Sequence, residues 1–257
     1  MLKMIFGRKH VENLKSAFTL VELLVVISII ALLLSILMPS LSRVREQARS
    51  IVCATNLRQC GLGIVLYAEN NRGNTVPNFI LYSQYMPYMI RDNNGDTPKN
   101  LGYLYAQGYL KEPKLYYCPS ASRPAQKLDT EENPWWENHA KILPDVHTYS
   151  SYYYYIRVPN SFWNRRLSDS LNSSGLAKGY ETWVKLDKLK NKALLSDTVF
   201  YPDRYPHYVK KGFNVAYGDG SVRFWRDGKG YFKDIAQRQP YLSDVQIYEV
   251  FNMFDNN

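Results

Sequence analysis

The chain has 257 residues, with 32 basic and 23 acidic side chains for a formal charge of +9, 14% aromatic residues, 14 glycines and three cysteines. The aromatic content excludes a disordered chain, the glycine count a collagen-like one, and the cysteine count a small disulfide scaffold. Mean hydropathy is negative although 46% of residues are apolar, so the apolar residues are concentrated in one place, and no 20-to-50-residue repeat is visible to suggest a solenoid.

Residues 1–17 carry Lys3, Arg8, Lys9 and Lys15 against Glu12, a basic leader that favours the cytoplasmic side of a membrane. Residues 18–38 (FTLVELLVVISIIALLLSILM) hold one formal charge, Glu22. As a helix they span roughly 31 Å, about one bilayer core, and the reading is a single membrane pass with the N-terminus in the cytoplasm and the rest outside. A secretory signal peptide has a shorter apolar stretch and a small-residue cleavage site, which the following LMPSLSRVREQARS does not supply. A carboxylate inside the apolar edge costs about 2.5–3.5 kcal/mol at mid-helix and less near an end, so Glu22 needs a partner unless it snorkels to the headgroups.

The helical pattern continues to about Glu69. Pro39 is expected to kink or locally open it, because proline lacks an N–H and crowds the preceding turn. Leu41, Val44, Ala48, Ile51, Val52, Leu57, Leu62, Val65 and Leu66 recur at helical spacing as the face expected to pack under a head, with Arg43, Arg45, Glu46, Arg49 and Arg58 opposite. Residues 70–74 (NNRGN) form the stop.

The remainder, residues 71–257, reads as an antiparallel α+β head. Residues 101–110 suggest a short helix or strand, and residues 149–158, 192–197, 213–217 and 221–225 suggest strands. The last two flank Gly218-Asp219-Gly220, a hairpin signal. Residues 92–98 and 168–179 read as loops, and residues 244–254 as a closing amphipathic helix with Val245, Tyr248, Phe251 and Phe254 on one side. The domain order is leader 1–17, membrane helix 18–38, its continuation 39–70, and head 71–257.

No nucleophile motif, zinc-protease helix or phosphate loop occurs, so no catalytic residue is assigned to His139, His147 or His207, and the chain is not expected to be an enzyme. No cofactor is expected. Residues 92–96 (DNNGD) and Asp219-Gly220 offer oxygens for a weak calcium site at most, without EF-hand spacing, and three cysteines without Cys-x-x-Cys spacing argue against zinc. Trp135, Trp136, Tyr152 to Tyr155 and Trp163 are of a kind that stacks on sugars or bases, and 28 basic against 22 acidic residues after position 17 attract polyanions. The plainer reading places these tyrosines in a strand and its core.

Residues 15–26 (KSAFTLVELLVV) resemble the leader-cleavage and N-methylation signal of type IV prepilins and type II secretion pseudopilins: a small residue, Phe-Thr-Leu-Val-Glu, then a continuous apolar helix. The resemblance implies that a prepilin peptidase cuts between Ala17 and Phe18, where the family usually has Gly before the cut, and methylates the new amine. Glu22, then the fifth residue, would pair with the Phe18 amine of a neighbouring subunit and set the register of a fibre. The partners implied are the peptidase, other pilin or pseudopilin subunits and inner-membrane lipid. The fold implied is pilin-like. The alternative is a membrane-tethered or minor-pilin binding protein for polysaccharide or DNA.

A second resemblance, to large pseudopilin-like proteins, runs through Asn56-Leu57-Arg58-Gln59, Tyr117-Cys118-Pro119-Ser120, His207 and Asn214 to Val222. Its mark is His followed after nine residues by Asp-Gly; here eleven separate His207 from Asp219 and Gly220. It implies pairing of Cys53 with Cys118, worth about 4 kcal/mol in the chain-entropy estimate. Cys60, seven residues after Cys53 on the same helical face, leaves Cys60 with Cys118, or no disulfide, as alternatives.

Overall fold

The computed structural model describes residues 19–81, 84–85, 88–92, 97–121, 124–135, 147–155, 180–182, 184–197, 207, 211–228, 230 and 244–255. Ala17, Phe18, His139, Trp136, Trp163 and the expected loop at 168–179 lie outside them.

One helix, α1 (Leu20–Asn70), runs 51 residues and passes through Pro39 without interruption. Ser35, Ser40 and Ser42 each turn their hydroxyl onto a carbonyl of the preceding turn around it. The helix stops where the sequence indicates. Arg72 and Gly73 take positive φ (56° and 78°), Gly73 N donates to Ala68 O at 2.8 Å, and the Asn70 and Asn71 amides bond the carbonyls of Leu66 and Tyr67. The chain divides into two compact units, Met1–Val44 and Arg45–Asn257, so the last part of α1 belongs to the same unit as the head.

Within that unit α1 buries Cys53, Leu57, Cys60, Ile64 and Tyr67, alternately four and three residues apart. This corrects the expected packing face. Leu41, Val44, Ala48, Ile51, Val52, Leu62 and Leu66 are exposed, and of that stripe only Leu57 is fully buried. The head selects the side of the helix with small residues. Gly63 lies where a Cβ would come within 3.1 Å of Leu104 Cδ1, so the neighbouring element approaches the backbone closely.

Among the described residues the head holds three antiparallel sheets. In the first, β1 (Asn78–Leu81) pairs with β2 (Gln84–Tyr85) and with β7 (Tyr180–Thr182). In the second, β3 (Met89–Asp92) pairs with β4 (Thr97–Pro98) and β5 (Thr148–Tyr149). Of the loop expected at 92–98, Asp92 ends β3 and Thr97 and Pro98 form β4, with Asp92 opposite Thr97, while residues 93–96 lie outside the described residues. The third and largest has the order β10 (Val222–Arg226), β9 (Gly212–Tyr217), β8 (Ala193–Asp197), β6 (Tyr152–Tyr154).

Residues 101–110 resolve into a short helix, α2 (Gly102–Ala106). The chain closes with α3 (Asp244–Asp255), whose Phe251 stacks on Tyr155 at 4.7 Å and whose Phe254 meets Phe213 and Trp225. Asp255 anchors this end, accepting from Ala193 N at 2.7 Å and pairing with Lys192 at 3.3 Å.

Trp135 sits in the core among Tyr105, Tyr116 and Tyr117. Beside it, buried Asn133 ties three segments together: its amide donates to Tyr149 O and Lys127 O, and its Oδ1 accepts from Tyr149 N at 2.8 Å.

Candidate functional site

Two places in the described chain carry groups whose arrangement exceeds packing. The first is the start of α1. Thr19 is followed three residues later by Glu22, and the pair closes reciprocally: Glu22 N donates to Thr19 Oγ1 at 3.2 Å, while Glu22 Oε2 accepts from Thr19 N at 2.9 Å and from Thr19 Oγ1 at 2.8 Å. This is a capping box, which satisfies backbone donors that the first helical turn leaves open. Both bonds use Oε2, and Oε1 bonds nothing among the described residues. Thr19 keeps its amide N–H if the chain is cut before Phe18, so the donors and acceptors of the box survive such processing and Oε1 stays outside it. Glu22 heads a helix whose residues 20–44 are all exposed, and α1 is long and apolar enough to cross a membrane.

The second place is inside the head, under α1. Cys53 from α1, Cys118 after the 3-10 turn Pro113–Tyr116, Asp197 at the end of β8, and His207 converge with their ligand-type atoms all within 4.8 Å of one another. None is more than 4% exposed. Cys53 Sγ lies 2.5 Å from Asp197 Oδ1 and 3.5 Å from Tyr152 Oη. His207 Nε2 lies 3.0 Å from Asp197 Oδ2, 2.9 Å from Asn214 Nδ2 and 4.0 Å from Cys118 Sγ. The other ring nitrogen, Nδ1, lies 2.9 Å from Glu46 Oε1, which also accepts from Ser120 Oγ at 2.8 Å. Asp197 Oδ2 is held in turn by Asn214 N at 2.6 Å.

The electrostatics follow from burial, from the Asp197 carboxylate and from hydrogen bonds within the cluster. Burial pushes the Cys53 thiol well up, and its bond to Cys118 and the Asp197 charge add to that. Burial also opposes ionisation of Cys118, but the hydrogen bonds from Cys53 and His207 outweigh it and hold that thiol below its ordinary value. At His207 burial disfavours the imidazolium; the bonds to Asp197 and Cys118 prevail and raise its pKa to about 11.

Cys53, Cys60 and Cys118 are free thiols. The pair implied by resemblance, Cys53 and Cys118, are neighbours, whereas Cys60 turns to Leu115 O at 3.4 Å. His207 and Asp219-Gly220 are not brought together. His207 bridges Gly212 at the start of β9, and Asp219 lies beyond its other end, about 17 Å along a six-residue strand. Asp219 serves the turn: its carboxylate accepts from Ser221 N at 2.9 Å, and Gly220 takes φ +82°. Those bonds from Ser221 lower the Asp219 pKa.

Of the calcium candidates, Asp92 is engaged by His147 Nδ1 at 3.3 Å. The aromatic residues considered for stacking on sugars or bases are core where described: Trp135 and Tyr152 to Tyr155 are all at most 4% exposed, because alternate side chains of β6 face a packed layer on each side. Sequence reasoning assigns no site role to Glu46 or Asp197, since neither sits in a local motif, nor to Asn214, which it names only within the second resemblance.

A model of the prokaryotic N-terminal methylation motif matches residues 13–38, a stretch that includes Ala17, Phe18 and Glu22. No curated protein and no solved structure matches the chain. The motif and the long apolar helix are consistent with a type IV prepilin- or pseudopilin-like protein anchored in the inner membrane.

Proposed function

We propose that this chain is a structural subunit of a type II secretion pseudopilus or type IV pilus-like fibre, stored in the inner membrane as a prepilin, cut before Phe18, N-methylated, and assembled through α1. The observation that carries the reading is the state of Glu22: an acid in the first turn of an apolar helix, fixed by Thr19 through Oε2 and with Oε1 unbonded among the described residues. Removal of the leader places a cationic amine on Phe18, within one turn of that oxygen. In hydrocarbon an unpaired carboxylate is penalised, so a neighbour's Phe18 amine at Glu22 favours one axial register over others.

A second feature supports assembly. Beyond the membrane span, Ile51, Val52, Leu62 and Leu66 remain 48 to 66% exposed on α1 while the opposite side packs into the head. Large apolar side chains exposed along one helix face suit contact with further helices of the same kind. The chain then works by assembly rather than catalysis, with its N-terminus cytoplasmic and the head outside.

Charge reversal tests this. Glu22→Lys is expected to abolish incorporation into fibres while the head keeps its native thermal transition. Fibre incorporation at the wild-type level would contradict the proposal.

A further inference from the structure

We propose that Cys53, Cys118, Asp197 and His207 form a structural zinc site within the head. The donor set is two sulfurs, one imidazole nitrogen and one carboxylate oxygen, a combination suited to a borderline-soft, four-coordinate ion. A metal about 2.0–2.3 Å from each ligand sets the ligand atoms roughly 3.3–3.8 Å apart. The distances here bracket that range, from 2.5 Å between Cys53 and Asp197 to a maximum of 4.8 Å. Side-chain adjustments of about an ångström regularise them.

The surroundings of His207 give an independent reason. Its Nδ1 faces Glu46 at 2.9 Å, so an N–H there donates to a carboxylate, and Nε2, which faces Asp197, Asn214 and Cys118, is the nitrogen left to take the metal once its proton is released. Metal-binding histidines are oriented by this kind of carboxylate contact. Four electron-rich atoms then surround one buried point, and a cation at that point removes their mutual repulsion. Burial of every ligand leaves no open position for substrate, which makes the site structural rather than catalytic.

Binding releases the thiol protons of Cys53 and Cys118 and the Nε2 proton of His207 to solvent, with no change of oxidation state. The ion ties α1 to the segment after Pro113–Tyr116, to β8 and to the residue that bridges β9. It also excludes a Cys53–Cys118 disulfide, since both sulfurs are used as thiolates. The proposal rests on the head's geometry and stands apart from the fibre reading.

The test uses the full-length chain purified in detergent after expression with zinc supplied. Elemental analysis is expected to find one zinc per chain, retained in Cys60→Ser and lost in Cys118→Ser and His207→Ala. Because those two variants are able to misfold, wild-type protein is also exchanged into Co²⁺, where an intense thiolate-to-cobalt band and tetrahedral ligand-field spectrum are expected. A peptide map showing Cys53 joined to Cys118 would overturn the proposal. So would folded wild-type protein with well under one zinc per chain, or cobalt spectra lacking thiolate ligation.

Discussion

On the proposed reading Glu22 has two separable duties, one for each oxygen. Oε2 closes the capping box with Thr19, and Oε1 has no partner among the described residues. Glu22→Gln keeps an acceptor for the box and deletes the charge, so membrane insertion and helix content are expected to persist while fibre yield falls at least tenfold. Thr19→Val does the opposite: it weakens the helix start by about 0.5–2 kcal/mol and leaves assembly in place. Circular dichroism together with a sheared-fibre assay reads both. Within the head, Asn133→Ala strands Tyr149 N and two carbonyls in the interior, and chemical denaturation is expected to show a loss of about 1–3 kcal/mol. His147 gives a pH dependence. Its pKa is lowered first by burial, and by Arg91 besides, against the opposing pull of Asp92. The fold therefore disfavours its charged form, and stability present above pH 6.5, the ordinary value, declines as pH falls below it. His147→Gln should flatten that part of a stability profile.

Among the elements, α1 is the one that sequence and structure share most fully and also the one whose face was misread. Its length and its NNRGN stop follow from composition and local chemistry, whereas the capping box of Thr19 and Glu22 emerges only in the structure. Which side packs inward does not, because aliphatic residues occur on several sides of residues 41–66 and the head chooses the side with cysteines, glycines and Tyr67. The exposed side is where an assembly variant belongs. Leu62→Asp is expected to leave the head's unfolding free energy within about 0.5 kcal/mol of wild type and to block fibre formation. The hairpin of β9 and β10 was legible from Gly218-Asp219-Gly220 because turn chemistry is local. Gly218 also shows what was not: a Cβ there would meet Leu189 O at 2.1 Å, a constraint set by a distant segment. Sheets β1, β2, β7 and β3, β4, β5 each take one short strand from a distant part of the chain, and two- to four-residue segments carry too little alternation to be read alone.

For the molecule as a whole, the N-terminal signal is contiguous and therefore readable, whereas the buried cluster is assembled from positions 53, 118, 197 and 207 and exists only in the fold. A search for metal-ligand spacing along the chain passes over such a site by construction. On the proposed reading the two regions divide the work: the apolar helix and Glu22 provide for storage in the membrane and for register in a fibre, and the head forms a compact unit with the last part of α1. The central claim is that proteolysis beside Glu22 creates the cation this acid requires. Intact mass and N-terminal peptide analysis of the protein from its native membrane tests it most directly. The account predicts a chain that begins at Phe18 with one methyl group on its amine; a chain that retains residues 1–17 would contradict it.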